Sequence, residues 1–199
     1  MQTKAVRKRW WESKTTVLLK EYEKMYGGKF VAAKFKDFKY TGQYVRVLLT
    51  KGLGECTITL TEASSDSSNK NLVIGIKYSF RPRRKLEFDL FSAKRPAFAL
   101  FLHGRRPTTL PTSDMNKRFQ ARASHPSVFR SVLKQDGLAE ALDQHPSAYV
   151  RTRVKENKAT LTFTESCKNP DVLKIEDCLK LVNLFIAGLQ EQGVIYVTH

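Results

Sequence analysis

The chain has 199 residues, 41% hydrophobic and 27% charged, a globular composition that excludes a disordered chain and is long enough to bury a core without staples. Thirty-five Lys and Arg against 19 Asp and Glu give a net charge of +16, beyond the magnitude of about 2–8 that solubility asks of a small domain. Such a field attracts phosphate-rich partners, either nucleic acid or an anionic membrane face, and does not by itself choose between them.

Residues 3–26 carry no Gly or Pro and read as a helix, closed by Gly27 and Gly28. Trp11, Leu18, Leu19, Tyr22, Met25 and Tyr26 form its apolar stripe. Lys4, Arg7, Lys8, Arg9 and Lys14 load the first half with positive charge. A helix N-terminus favours anions, so helix stability does not account for these residues.

From Gly28 to Leu102 the period changes to that of strands. FVAAKFKDFKYTG alternates apolar and basic residues, and QYVRVLLTKG, ECTITLTEA, NLVIGIKYSF, KLEFDLFS and AFALFLHG follow, with SSDSSNKN at 64–71 as a polar hairpin loop. RRPTTLPTSD at 105–114, with its prolines and hydroxyl residues, reads as an interior linker. After it KRFQARAS is a short strand, and His125–Pro126 opens a helix that Gly137 interrupts. TRVKENKATLTFTES is a hairpin turning at Glu156–Asn157–Lys158. The run CKNPDVLKIEDCLKLVNLFIAGLQEQG holds the best helix, started by Asn169 or Asp171 and stopped by Gly193, and VIYVT at 194–198 is a short last strand.

The expected fold is α+β: an N-terminal helix, an antiparallel sheet of about five or six strands, and a strand–helix–hairpin–helix region packed on it. The regions are 1–27, 28–104, a linker at 105–115, and 116–199.

Cys56, Cys167 and Cys178 are odd in number and lack CxxC spacing, so they read as reduced packing residues of a cytosolic chain and not as a disulfide framework or zinc site. His103, His125, His145 and His199 show no metal-ligand spacing, and no metal is expected. There is no GxSxG, no phosphate-cradling glycine loop and no cofactor motif. The sequence therefore points away from an enzyme and calls for no cofactor. No run of about 18 apolar residues is present to span a membrane, and the charged N-terminus lacks the apolar region of a signal peptide.

Two basic clusters remain. Arg7, Lys8, Arg9, Trp10, Trp11 and Lys14 combine phosphate-seeking charge with interfacial aromatics, a set suited to an anionic bilayer surface, to nucleic acid with tryptophan stacked on bases, or to a docked Trp11 with its basic neighbours solvated. Residues 81–107 place Arg81, Arg83, Arg84, Lys85, Arg105 and Arg106 around LEFDLF and AFALFL. If these two runs are neighbouring antiparallel strands, the six basic residues meet at one sheet end as an anion site for membrane or nucleic acid. On this reading Glu87 and Asp89 share a surface with Lys85 and are compensated by it.

The order of elements in RFQARASHPSVFRSVL at 118–133, TLTF at 160–163 and the helix from Asp171 resembles a group of uncharacterised bacterial proteins. These carry a basic helix near membrane spans followed by a soluble α+β domain. The resemblance covers mainly residues 115–192, implies no activity, and departs from the group in lacking a membrane span. The combined expectation is a non-enzymatic binding or scaffolding protein, cytoplasmic and peripheral to the membrane. Its partner is an anionic lipid surface or a membrane protein complex. Nucleic acid held by the 81–85 and 105–106 cluster is the alternative, an enzyme with a pocket composed of distant residues is the third class, and a protein partner stays open.

Overall fold

A computed structural model describes residues 13–36, 38–49, 53–62, 71–94 and 105–196. The chain order is α1 (Lys14–Tyr26), β1 (Lys29–Val31), β2 (Lys34–Lys36), β3 (Lys39–Thr41), β4 (Tyr44–Leu48), β5 (Glu55–Glu62), β6 (Asn71–Phe80), β7 (Phe88–Ser92) and β8 (Arg106–Pro107). Then follow α2 (Ser113–Arg118), β9 (Phe119–Ala123), α3 (Pro126–Val132), α4 (Leu138–Asp143), β10 (Tyr149–Lys155), β11 (Lys158–Lys168) and α5 (Val172–Glu191).

The α+β class is correct, but the strand count and the grouping need correction. Among the described residues nine strands form one antiparallel sheet, in the order β1-β4-β5-β6-β11-β10-β7-β9-β8, and β2 with β3 makes a separate hairpin. The late β10–β11 hairpin does not pack on a finished sheet. It enters the middle of it, β11 pairing with β6 from Ala159↔Phe80 to Lys168↔Asn71, and β10 pairing with β7.

Alternation sets the two faces. Cys56, Ile58 and Leu60 of β5, Ile74, Ile76 and Tyr78 of β6, and Leu161 and Phe163 of β11 are buried in one cluster with Leu19 and Tyr22 of α1, Phe129 of α3, Leu142 of α4 and the inner face of α5. The intervening Thr57, Thr59, Thr160, Thr162 and Thr164 occupy the opposite face, which is only partly covered. β-branched residues on a pleated half-exposed face are what strand propensity favours.

The α1 helix docks on the rest of the fold. Ser13 caps it by accepting a hydrogen bond from the Thr16 amide at 3.2 Å, and the Tyr22 hydroxyl donates to Glu176 Oε2 of α5 at 2.7 Å. Of the expected stripe, Leu18, Leu19 and Tyr22 are buried, whereas Met25 and Tyr26 are exposed and Trp11 lies outside the described residues. The Glu23 carboxylate accepts from the Phe30 amide at 2.8 Å, covering part of the sheet edge at β1.

Other expectations differ in detail. The 105–114 stretch contains the start of α2, capped by Thr112, with Thr108, Leu110 and Met115 buried. Gly137, with φ +76, does separate α3 from α4. The 194–198 segment contributes a single bridge, Pro82↔Ile195, within its described part. The loop at 63–70 lies outside the described residues.

Gly28 is the tightest backbone position between α1 and the sheet. Its φ is +99, and an added Cβ would stand 2.7 Å from the Arg46 carbonyl oxygen. Gly28→Ala should cost about 1–3 kcal/mol in urea unfolding. Gly54→Ala, also at positive φ but with open space around it, should cost less. Equal losses would contradict the steric argument.

Candidate functional site

The sequence-read basic residues separate into three environments. Arg7, Lys8, Arg9, Trp10 and Trp11 lie outside the described residues. Lys14 opens α1, exposed, with its ammonium donating to Asn169 Oδ1 at 2.9 Å. Arg81, Arg83, Arg84 and Lys85 are exposed in the segment between β6 and β7. The C-terminal end of the described chain holds this segment: the Arg83 amide donates to the Val194 carbonyl at 2.8 Å, the Tyr196 amide to the Arg81 carbonyl at 3.0 Å, and the Arg81 guanidinium lies 5.4 Å from the Tyr196 ring centre. Arg84 and Lys85 also line a cleft of about 420 Å³ with Leu86, His125 and Val128.

The hairpin of LEFDLF with AFALFL is not formed at β7. Both edges of β7 are taken, by β10 from Tyr149↔Phe91 to Thr152↔Phe88 and by β9 from Phe88↔Ala123 to Ser92↔Phe119. AFALFL itself lies outside the described residues. Arg106 is exposed and is level with Phe88 through Ala123, which stands between them in the sheet.

Arg105 turns inward. Its Nη1 donates to Asp89 Oδ2 and its Nη2 to Glu87 Oε2 at 3.2 Å, with the side chain 7% exposed. Asp89 is fully buried and is not the surface residue that strict alternation suggested. It faces the side away from the helices, beneath Tyr149, whose hydroxyl donates to Oδ1 at 2.7 Å, and Arg153, whose Nη2 donates at 2.9 Å. Glu87 also accepts from the Val154 amide at 2.9 Å. Two guanidiniums thus neutralise two carboxylates across β7, β10 and the start of β8. A charge left alone there has no solvent to turn to.

The surface that sequence reading did not single out is the β2–β3 hairpin. It continues the β1–β4 edge pair beyond Val31↔Tyr44, through Lys34↔Thr41 to Lys36↔Lys39. Phe35 and Tyr40 are cross-strand partners on one face and are 72% and 70% exposed. Lys34 and Lys36 point to the other face, also exposed. Phe38 sits in the turn at φ +56, a conformation costly for a non-glycine residue, and is 98% exposed. At the foot of this finger a groove of about 820 Å³ runs past Ser13, Tyr40, Gln43, Tyr44, Thr57 and Thr59. The signal was present in the sequence as KFKDFKY, but an alternating strand reads the same whether its apolar face is buried or bare.

Among the described residues one set of metal-ligating side chains converges: His145, Glu165 and Cys178, all buried. His145 Nδ1 and Glu165 Oε2 are 2.6 Å apart, and Lys174 Nζ is 3.1 Å from the same carboxylate oxygen. Burial pushes the Glu165 carboxyl up, but the hydrogen bond with His145 and the charges of His145 and Lys174 outweigh it and hold it below the ordinary range. Burial, with Glu165 beside it, pushes the Cys178 thiol well above its ordinary value.

No protein-family model matches this chain, and no curated protein matches its sequence. Its fold is similar to the crystal structure of the mycobacterial trehalose monomycolate transport factor A, TtfA, with a TM-score of 0.58 over 93% of this chain and 99% of that one, at 12% identity. The likeness is one of fold. Among the described residues, no helix is long and apolar enough to cross a membrane.

The buried ion network generates a stability prediction. Asp89→Ala leaves the nearly buried Arg105 with Glu87 as its one remaining carboxylate and takes Arg153's from it, and should cost about 3 kcal/mol in urea unfolding. Arg106→Ala, on an exposed side chain, should change stability by less than about 0.5 kcal/mol. A small effect of Asp89→Ala would mean the network is not closed.

Proposed function

We propose that this chain is a non-enzymatic binding protein that docks on an anionic membrane surface, with the β2–β3 finger as the inserting element. The observation that carries the reading is the bare aromatic set Phe35, Phe38 and Tyr40 on a lysine-bearing hairpin that extends past the sheet. Three bare aromatic rings on one hairpin make the kind of exposed apolar patch that marks an interaction surface. Burying a phenylalanine side chain contributes roughly 1.5–3 kcal/mol. Each lysine near an anionic leaflet adds about 1 kcal/mol. The aromatic side chains supply apolar insertion while the lysine ammoniums stay at headgroup level, which long flexible stems permit. Other exposed cations, among them Arg81, Arg83, Arg84, Lys85 and Arg106, add long-range attraction in a chain of net charge +16.

The fold neighbour supports the reading at one remove: a protein of this fold serves as a transport factor for trehalose monomycolate. Residues 7–11, with Trp10 and Trp11, add a second basic–aromatic stretch to the same reading on sequence grounds. The nucleic-acid alternative loses one of its six cations to the interior, since Arg105 is engaged by Asp89 and Glu87.

Vesicle sedimentation tests the proposal. The protein should pellet with vesicles containing phosphatidylserine or phosphatidylglycerol and not with phosphatidylcholine alone. Phe38→Ala should weaken partitioning by roughly tenfold, the loss expected for about 1.4 kcal/mol of apolar burial. Lys34→Ala/Lys36→Ala should act mainly at low salt. Equal binding to neutral and anionic vesicles, or binding insensitive to Phe38, overturns the assignment. Tight nucleic-acid binding that requires Arg83, Arg84 and Lys85 favours the alternative.

A further inference from the structure

We infer that His145, Glu165 and Cys178 form a binding site for a zinc-class divalent ion that ties the α4–β10 loop, the sheet and α5 together. The three ligand atoms lie within 4.8 Å of one another and come from three separate elements. Imidazole nitrogen, carboxylate oxygen and thiolate sulfur are all zinc donors.

The spacing fits with a small adjustment. With bonds of about 2.0–2.1 Å to nitrogen and oxygen and about 2.3 Å to sulfur, tetrahedral geometry puts nitrogen and oxygen about 3.3 Å apart, and sulfur about 3.5 Å from either. Here Cys178 Sγ is 3.5 Å from Glu165 Oε2 and 3.9 Å from His145 Nδ1. The His145–Glu165 pair, at 2.6 Å, has to open by less than an ångström.

A cation already marks the position. Lys174 Nζ stands 3.0 Å from His145 Nδ1 and 3.1 Å from Glu165 Oε2. Its side chain is 27% exposed on the first turn of α5, so it has a route to solvent. With Lys174 in place, the Glu165 carboxylate is paired with its ammonium and with His145. With the ion in place, two positive charges balance the Glu165 carboxylate and the Cys178 thiolate, and Lys174 turns outward. The thiol proton is released on binding, so apparent affinity rises with pH. Ser147, whose hydroxyl is shared between the Ser166 carbonyl at 3.2 Å and Glu165 Oε1 at 3.4 Å, lies against the carboxylate from outside. Three protein ligands leave a fourth position for water.

The experiment is a cobalt(II) titration of the metal-stripped full-length chain, followed by zinc competition. The expected result is a thiolate-to-cobalt charge-transfer band in the near ultraviolet with visible bands of tetrahedral intensity, both abolished by zinc. Cys178→Ser should remove the charge-transfer band, while Cys56→Ser and Cys167→Ser keep it. Lys174→Met should tighten binding by removing the competing ammonium, and Ser147→Ala should weaken it by about tenfold. If Cys178→Ser does not fold, proton release in the native chain decides: at least one proton per cobalt supports the site, and none overturns it. Cobalt binding without a thiolate band, a band that survives Cys178→Ser, or no binding at micromolar metal overturns the inference. The cluster is then an ion pair of His145, Glu165 and Lys174 packed against a thiol.

Discussion

The pairing of β6 with β11 is the constraint on which the rest of the molecule depends. Ten consecutive residues of β6 find their partners in β11, far along the chain, and this register places the last hairpin in the centre of the sheet. Because the side-chain period of a strand is two, a slip of one residue would turn Leu161, Phe163 and Glu165 to the open face and Thr160, Thr162 and Thr164 into the core. The same register sets β10 against β7, which closes the ion network around Asp89, and it fixes Glu165 beneath α5. A sheet assembled from such distant segments has loop-closure entropy to overcome before its contacts form, so slow folding is its expected character.

Much of the local structure was legible in the sequence. Glycine punctuation ended α1 at Gly27 and split α3 from α4 at Gly137, and Asp171 capped the long apolar stripe of α5 as its residue type suggests. The order of the strands was not legible, because neighbours in sequence are the default guess for neighbours in a sheet. Here β7 takes β9 and β10 as partners. That single fact explains why Asp89 looked like a surface residue: alternation reveals which residues share a face, not what covers that face. The same limit hid the finger, since KFKDFKY has the period of any hairpin. It also hid the His145 cluster, whose members stand 20 and 13 residues apart on a loop, a strand and a helix. Cys178 was read as a buried packing residue, and buried it is; its neighbours were beyond the reach of spacing arguments.

The large positive charge has more than one use. Arg105 and Arg153 are spent on interior carboxylates and hold β7 to β10 and β8. Lys34 and Lys36, with Arg83, Arg84 and Lys85, remain on the outside. Within that outer set the finger differs from the rest, because it alone among the described basic segments pairs its cations with three largely bare aromatic rings. Charge brings a protein to an anionic surface, and apolar insertion keeps it there when salt screens the charge.

Hydrogen–deuterium exchange with and without anionic vesicles tests this division of labour, since it needs no substitution and reports on every segment at once. Protection should concentrate in residues 34–41 with phosphatidylserine vesicles, persist at moderate salt, and be absent there with phosphatidylcholine. Unchanged exchange at 34–41, with protection appearing at 81–85 or nowhere, would contradict it.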